Sequence, residues 1–295
     1  MQDLRYARAS SVAEASRLLA DGGPTARVLA GGTDVIVQAR ERTQKISLFV
    51  DIKHIPEAVG VGGAEGGGLT LGAAAPCCHI YDDASVRSSY PALVDATSLI
   101  GGTAIQGRAS LGGNLCNSSP AADGVPPLIA LGATAVIAGP GGERRVPVAT
   151  FTTGPGQNVL EPGEFVVALE VPAPAPGSGV RFLRFIPRNE MDIAVVNVAS
   201  ALRLDGAEVA EARVVVGAAA PTALVVEEAA EALVGRPLSQ ESIASAAAAA
   251  RAAVRPIDDM RGSIRQRRHL AGVLTERTLR DAARRARGEE VASHP

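Results

Sequence analysis

The chain has 295 residues, enough for two domains that each bury a core of their own. It is 46% hydrophobic and 20% charged, with no Trp and only 3% aromatics, so this is an ordinary globular composition whose interior must be built from Ala, Val, Leu and Ile. The formal net charge of −2 offers no footprint for a nucleic-acid backbone.

The first twenty residues scatter Asp3, Arg5, Arg8, Glu14 and Arg17 among apolar positions, so no secretory h-region is present. Val12 to Ala20 reads as an amphipathic helix, capped by Ser10 or Ser11 and stopped by Asp21-Gly22-Gly23. Arg27 to Ala30 reads as a short strand, Val35 to Ala39 as a helix, and Ser47 to Ile52 as a second strand. Gly60 to Gly72 is predicted to be a hairpin turn leading into strand-like Leu69-Thr70-Leu71. Helices are expected around 80–87 and 91–100, then a Gly-rich segment from Gly101 to Gly113, then helix and strand within Pro127 to Ala138.

Pro172 to Gly179 is the clearest linker in the chain. Beyond it, 195–204 and 212–217 read as antiparallel strands, and 239–254 and 264–285 as helices. The apolar stretch from Val214 to Val226 is broken by Pro221 and is too short to cross a bilayer. The pattern is α+β, split near residue 176. Arg284, Arg285 and Arg287 are expected at a solvated helix end, and residues 289–295 as a disordered tail. Three cysteines without Cys-x-x-Cys spacing, and four scattered histidines, give no disulfide scaffold and no metal site. A soluble cytoplasmic protein of a reducing compartment, without a membrane span, is the expectation.

Two segments carry chemistry. In Leu29-Ala30-Gly31-Gly32-Thr33-Asp34-Val35 a strand empties into two glycines, a hydroxyl and a helix start, where successive free N–H groups suit phosphate. Read alone, it is first of all a turn with Thr33 or Asp34 as helix cap. Ala109-Ser110-Leu111-Gly112-Gly113-Asn114-Leu115 repeats the chemistry, and two such loops fit a ligand with two phosphates gripped from both sides. Neither is a P-loop or a dinucleotide fingerprint; Gly60-Val61-Gly62-Gly63-Ala64-Glu65 has Glu where the last glycine should stand. Valine at Gly112 or Gly113 is expected to push a side chain into the place of the diphosphate.

The run from Ser110 to Asn114, followed by Ser119-Pro120-Ala121-Ala122-Asp123, closely resembles the FAD-binding medium subunits of molybdenum hydroxylases of the xanthine dehydrogenase and carbon monoxide dehydrogenase type. Leu29 to Asp34 resembles that family's first flavin loop, Arg184 to Ala194 its loop beside the flavin ring, and Arg255 to Ser263 with Arg267 to Ala271 its C-terminal domain. The resemblance runs through nearly the whole chain. It implies a two-lobed FAD-binding domain of the vanillyl-alcohol oxidase-like type over 1–176, with a small lobe 1–55 and a larger lobe 56–176. A C-terminal domain over 177–288, an antiparallel sheet with helices, would follow.

The same resemblance implies the site. Val28, Leu29, Ala30, Gly31, Gly32, Thr33, Asp34 and Val35, with Ser110, Leu111, Gly112, Gly113 and Asn114, would wrap the FAD diphosphate and ribose. Asp123 would contact the flavin nucleotide, although by itself it could cap the helix that starts near Pro126. Ile100 and Val167 would pack on the cofactor, and Arg184 would place a cation near the isoalloxazine and raise its potential. Gln106-Gly107 stands where many members carry Arg-Asn, and Phe185 or Ile186 where some carry a ring-covering Tyr. No catalytic side chain and no metal ligand is assigned, because the chemistry is the cofactor's. The implied partners are a large molybdopterin subunit and a small subunit with 2Fe–2S clusters, in a dimer of heterotrimers. The implied electron acceptor is NAD, a quinone or dioxygen. Two other readings stay open: a self-contained flavin oxidase or reductase of the vanillyl-alcohol oxidase superfold, and a flavin-free bridging subunit.

Overall fold

A computed structural model describes residues 3–189 and 191–293, with only the main chain described at Glu65. Glu190, within the segment singled out beside the flavin ring, and His294 lie outside the described residues. The first lobe is a parallel sheet in which β3 (Leu48–Asp51) runs between β1 (Arg5–Arg8) and β2 (Ala26–Leu29). Parallel neighbours need crossovers, and helices Val12–Gly22 and Val35–Glu41 supply them. The first helix is fixed at its start by Ser11, whose Oγ accepts from Glu14 N, while Glu14 accepts from Ser10 N. It stops at Gly23, where φ is +64°. Ala15 and Leu19 are its buried stripe.

The larger lobe is built on an antiparallel sheet in the order β4 (Val61–Gly63), β5 (Leu69–Gly72), β10 (Phe165–Val171), β6 (Thr134–Gly139), β7 (Gly142–Pro147). A two-stranded ribbon of β8 (Thr152–Gly154) and β9 (Gln157–Asn158) stands beside it. Short helices cover the sheet, among them Cys77–Asp82, Ala84–Ser89, Pro91–Thr97, Leu111–Cys116 and Val125–Ala130. The helix expected over 80–87 is two helices, because Asp83 interrupts at φ −67°, ψ +127° and its carboxylate caps Ser85 N and Val86 N. Ala74, Ala138, Phe165 and Val167 of this lobe join the first lobe's core, so the seam between the lobes is apolar.

The third unit is the meander β11 (Ser178–Phe185), β12 (Val196–Asp205), β13 (Glu208–Gly217), β14 (Leu224–Val225). Helices Gln240–Ala253 and Ile264–Ala286 are packed against each other, and the long one lies on β11 and β12. Gly179 permits the approach: a Cβ there would sit 2.0 Å from Ala282 O. Phe182, Ala199 and Val215 of this sheet share a core with the larger lobe. Among the described residues, no helix is long and apolar enough to cross a membrane.

Two expectations are corrected. Arg285 is no solvated helix end: its side chain is 6% exposed and its guanidinium clasps the fully buried Asp95 at 2.7 and 2.9 Å. Residues 289–293 are not free either, since Arg181 donates to Ala292 O, Arg285 donates to Val291 O, and Arg284 pairs with Glu289.

Candidate functional site

The first loop leaves β2 through Ala30 and Gly31, turns at Gly32 with φ +83°, and enters helix Val35–Glu41. A side chain is strained at that φ, and a Cβ on Gly32 would also lie 2.6 Å from Ile36 Cδ1. Asp34 occupies the N-cap position of this helix, but its side chain makes no capping bond. Among the described residues, the main-chain amides of Gly31, Gly32, Thr33, Asp34 and Val35 find no acceptor within the chain. Five successive unspent donors at a helix start are the kind of group that binds an anion.

Lys53, which the sequence reading passed over, braces this loop from behind. Its Nζ donates to Ala30 O at 2.9 Å and to Asp51 Oδ1 at 2.7 Å. Burial works to raise the Asp51 carboxyl, but bonds from Lys53 and Tyr6 outweigh it and hold the group below the usual carboxylate range.

The second loop follows Gln106 and Gly107. Ser110 adopts φ −138°, ψ +154° and caps helix Leu111–Cys116 by accepting from Gly113 N at 3.1 Å. The amides of Leu111 and Gly112 have no acceptor among the described residues. The two glycines differ in use. A Cβ on Gly112 would sit 2.4 Å from Ala73 O, so Gly112 is there to let the helix touch the strand end, and a side chain would meet protein rather than the diphosphate. Gly113 would meet only the Ser110 hydroxyl, at 3.1 Å. The Asn114 side chain is spent on structure, with its Oδ1 accepting from Gly124 N at 2.9 Å.

The two loops touch. A Cβ on Gly31 would fall 1.8 Å from Arg108 O and 3.2 Å from Ala109 N, so main chain lies directly on main chain at this point. Next to the contact is a cavity of about 310 Å³ lined by Lys53, Val59, Ala74, Pro76, His79, Gly107 and Arg108. The residues present therefore fit a dinucleotide diphosphate: unbonded amides on both loops, and glycine where the backbones must meet.

The remaining expected residues are distributed as follows. Val28 and Leu29 are strand residues leading into the first loop, Leu29 buried and Val28 half-buried. Ile100 is half-buried against the larger lobe's core, just before Gly101 and Gly102, whose φ values are +67° and +76°. Val167 sits at a bulge in β10 with its side chain in the seam between the lobes. Asp123 does not cap the next helix, whose cap residue is Gly124. Its carboxylate instead accepts from Arg184 Nη1 at 2.5 Å and from Asn197 Nδ2 at 2.9 Å. Burial pushes the Asp123 carboxyl upward, with Arg184 and Asn197 acting against it. Arg184 belongs to β11 rather than to a loop, and its side chain is 6% exposed. Its charge is thus largely answered by Asp123, which the sequence reading did not foresee. Arg184 Nε and Asn197 Oδ1 are buried with no hydrogen-bond partner among the described residues. Burial also pushes the Cys116 thiol up to about 12, so it stays protonated as a packing group.

The family described as "FAD binding domain in molybdopterin dehydrogenase" matches residues 2–174, and "CO dehydrogenase flavoprotein C-terminal domain" matches residues 181–282. The chain is 34% identical over 285 residues to the xanthine dehydrogenase FAD-binding subunit of Escherichia coli O157:H7, covering 96% of this chain and 97% of that one. It is 32% identical to the carbon monoxide dehydrogenase medium chain of Hydrogenophaga pseudoflava, covering 94% and 96%. Among solved structures, carbon monoxide dehydrogenase from Hydrogenophaga pseudoflava superposes with a TM-score of 0.91 at 31% identity, covering 95% of this chain and 97% of that one. Quinoline 2-oxidoreductase from Pseudomonas putida 86 gives 0.89 at 30% identity, covering 97% and 99%.

Proposed function

Because the chain belongs to the FAD-binding subunits of the molybdenum hydroxylase family, the family of xanthine and carbon monoxide dehydrogenases, we propose that it carries electrons between a partner's iron–sulfur clusters and an external acceptor. The FAD, when bound, supplies the redox chemistry; the chain supplies its seat. Gly31 to Val35, with Leu111 and Gly112, offer their amides to the diphosphate, and each charge-assisted bond of that kind contributes roughly 1.5–3 kcal/mol. Lys53 holds the first loop in shape, and the Asp123–Arg184 pair holds the second loop's flank against the C-terminal sheet.

The observation that carries this reading is the backbone contact between Gly31 and Arg108, which brings two sets of unspent donors to one place. A flavin-free bridging subunit would have no use for five unbonded amides in a row. The partners in this reading are a large molybdopterin subunit and a small iron–sulfur subunit, paired as a dimer of heterotrimers in the cytoplasm, with NAD, a quinone or dioxygen as acceptor. The solved relative from Hydrogenophaga pseudoflava is described as a carbon monoxide dehydrogenase that lacks the Mo-pyranopterin moiety of the molybdenum cofactor, and that mention of a molybdenum cofactor supports a molybdopterin partner.

The purified chain should take up one FAD per polypeptide and show visible flavin absorbance. Mixed with its partner subunits, that absorbance should bleach when the iron–sulfur clusters are chemically reduced under argon. A chain that binds no FAD refutes the seat, and one that binds it but never bleaches refutes the electron path.

A further inference from the structure

The C-terminal domain carries a second feature that the flavin seat does not use. Between residues 251 and 269 stand six arginines against two aspartates, a formal +4 in a chain whose net charge is −2. Within that stretch, Asp259 to Gly262 close a tight hairpin with reciprocal main-chain bonds, Asp259 N to Gly262 O at 3.2 Å and Gly262 N to Asp259 O at 3.3 Å. The Asp259 carboxylate accepts from Arg261 N, Gly262 N and Arg267 Nη2, at 2.9, 3.1 and 2.7 Å. Arg267 is itself buried and bound to Val195 O and Ala218 O, so the hairpin is bolted to the domain core.

What this rigid hairpin presents is apolar. Met260 at its tip is 93% exposed, and Ile257 just before it is 68% exposed. Large apolar side chains held outward on a fixed backbone lose little conformational entropy when covered, which favours association. Next along the chain lies a cavity of about 680 Å³ lined by Arg251, Asp258, Ser263, Ile264, Arg265, Arg268 and His269. Arg251, Arg265 and Arg268 have no ion-pair partner among the described residues. Arg251 reaches over Gly272, where a Cβ would lie 2.8 Å from its Nη2, so small size at 272 leaves room for the guanidinium.

We propose that the Ile257–Gly262 hairpin and the arginine-lined cavity beside it form one docking face for an acidic protein partner of the oxidoreductase complex. Met260 and Ile257 enter an apolar pocket on that partner, and Arg251, Arg265 and Arg268 meet carboxylates on its rim. Met and Arg are residue types favoured in protein interfaces, and the unpaired positive charge selects an acidic counterpart. The inference rests on the subunit reading above for the existence of a complex, but it uses none of the residues of the flavin seat.

The test uses the full chain, loaded with FAD and co-produced with the partner subunits of its own complex, with assembly measured by sedimentation. Met260→Asp with Ile257→Asp, and separately Arg265→Glu with Arg268→Glu, should each weaken assembly at least tenfold, equivalent to 1.4 kcal/mol. Both should leave FAD content and Tm unchanged, and Met260→Leu with Ile257→Leu should assemble like the parent. The arginine variant should also lose the parent's sensitivity of assembly to salt. Parental assembly in both charge-introducing pairs overturns the proposal, as does a loss confined to self-association of this chain. A chain that takes up no FAD yet loses assembly in the same variants sinks the flavin reading and leaves the docking face standing.

Discussion

Replacement of Gly31 by Ala is the sharpest perturbation of the seat. The new Cβ would lie 1.8 Å from Arg108 O and 2.5 Å from Arg108 C, both main-chain atoms, so no side-chain rotation can relieve it. Real Cβ contacts stay beyond about 3 Å, so the two loops must part by more than an ångström. Overpacking of this kind costs typically about 1–3 kcal/mol in stability. The parted loops no longer converge on one diphosphate, and losing two charge-assisted bonds at roughly 1.5–3 kcal/mol each weakens FAD binding by about two to four orders of magnitude. The assay is FAD titration of the apo-chain by flavin fluorescence quenching, with a thermal melt alongside. Gly63→Ala is the control, because a Cβ at Gly63 meets nothing within 4 Å and its φ is not positive. If Gly31→Ala binds FAD within threefold of the parent, the loops do not act together and the reasoning fails.

The two glycines of the second loop should separate cleanly. Gly112→Ala lowers Tm by several degrees, because its Cβ would strike Ala73 O at 2.4 Å, whereas Gly113→Val keeps Tm near the parent's and loses FAD affinity. Asp123→Leu leaves Arg184 buried and unpaired, so equilibrium denaturation should show a loss of about 3–5 kcal/mol; a change under 1 kcal/mol removes the pair from the interface. Because the Asp51 carboxyl is depressed in the folded chain, its contribution is full above the ordinary Asp value near 4 and is lost as pH falls through the lowered one. A urea titration series from pH 6 downward should therefore show a steeper acid loss in the parent than in Asp51→Asn.

The elements legible in the sequence were those with local signals. Serine caps announce the helices beginning at Val12 and Ile264, where Ser11 and Ser263 accept from the third residue onward. The glycine loops were legible because φ +83° at Gly32 and the close approach at Gly31 exclude other residues. β10 gave no signal of its own: six of its seven residues are buried, so the alternation that marks a half-exposed strand is missing. β11 was hidden because it starts at Ser178, inside the proline and glycine run that reads as a linker. The partners of Asp123 and Arg285 were hidden for a different reason. They lie 61 and 190 positions away, and nothing within either residue's neighbourhood reports a contact of that range. Lys53 falls between, since its acceptors at Leu29 and Ala30 exist only once β2 and β3 have paired.

These long-range contacts explain why a chain with a separable-looking C-terminal domain holds one cofactor seat. The second loop is tied through Asn114 to Gly124, and the neighbouring Asp123 is tied to Arg184 and Asn197 on facing positions of β11 and β12. A second buried cluster, Asp95 with Arg181 and Arg285, fastens the helix Pro91–Thr97 to the same sheet, just upstream of Ile100 and the Gly101-Gly102 turn. Removing one partner from a buried pair is far more destabilising than never having had the pair, so both clusters make displacement of the sheet expensive. The first loop needs only its own lobe and Lys53. The second loop takes its position from three parts of the chain, and that division follows from where the buried charges find their partners.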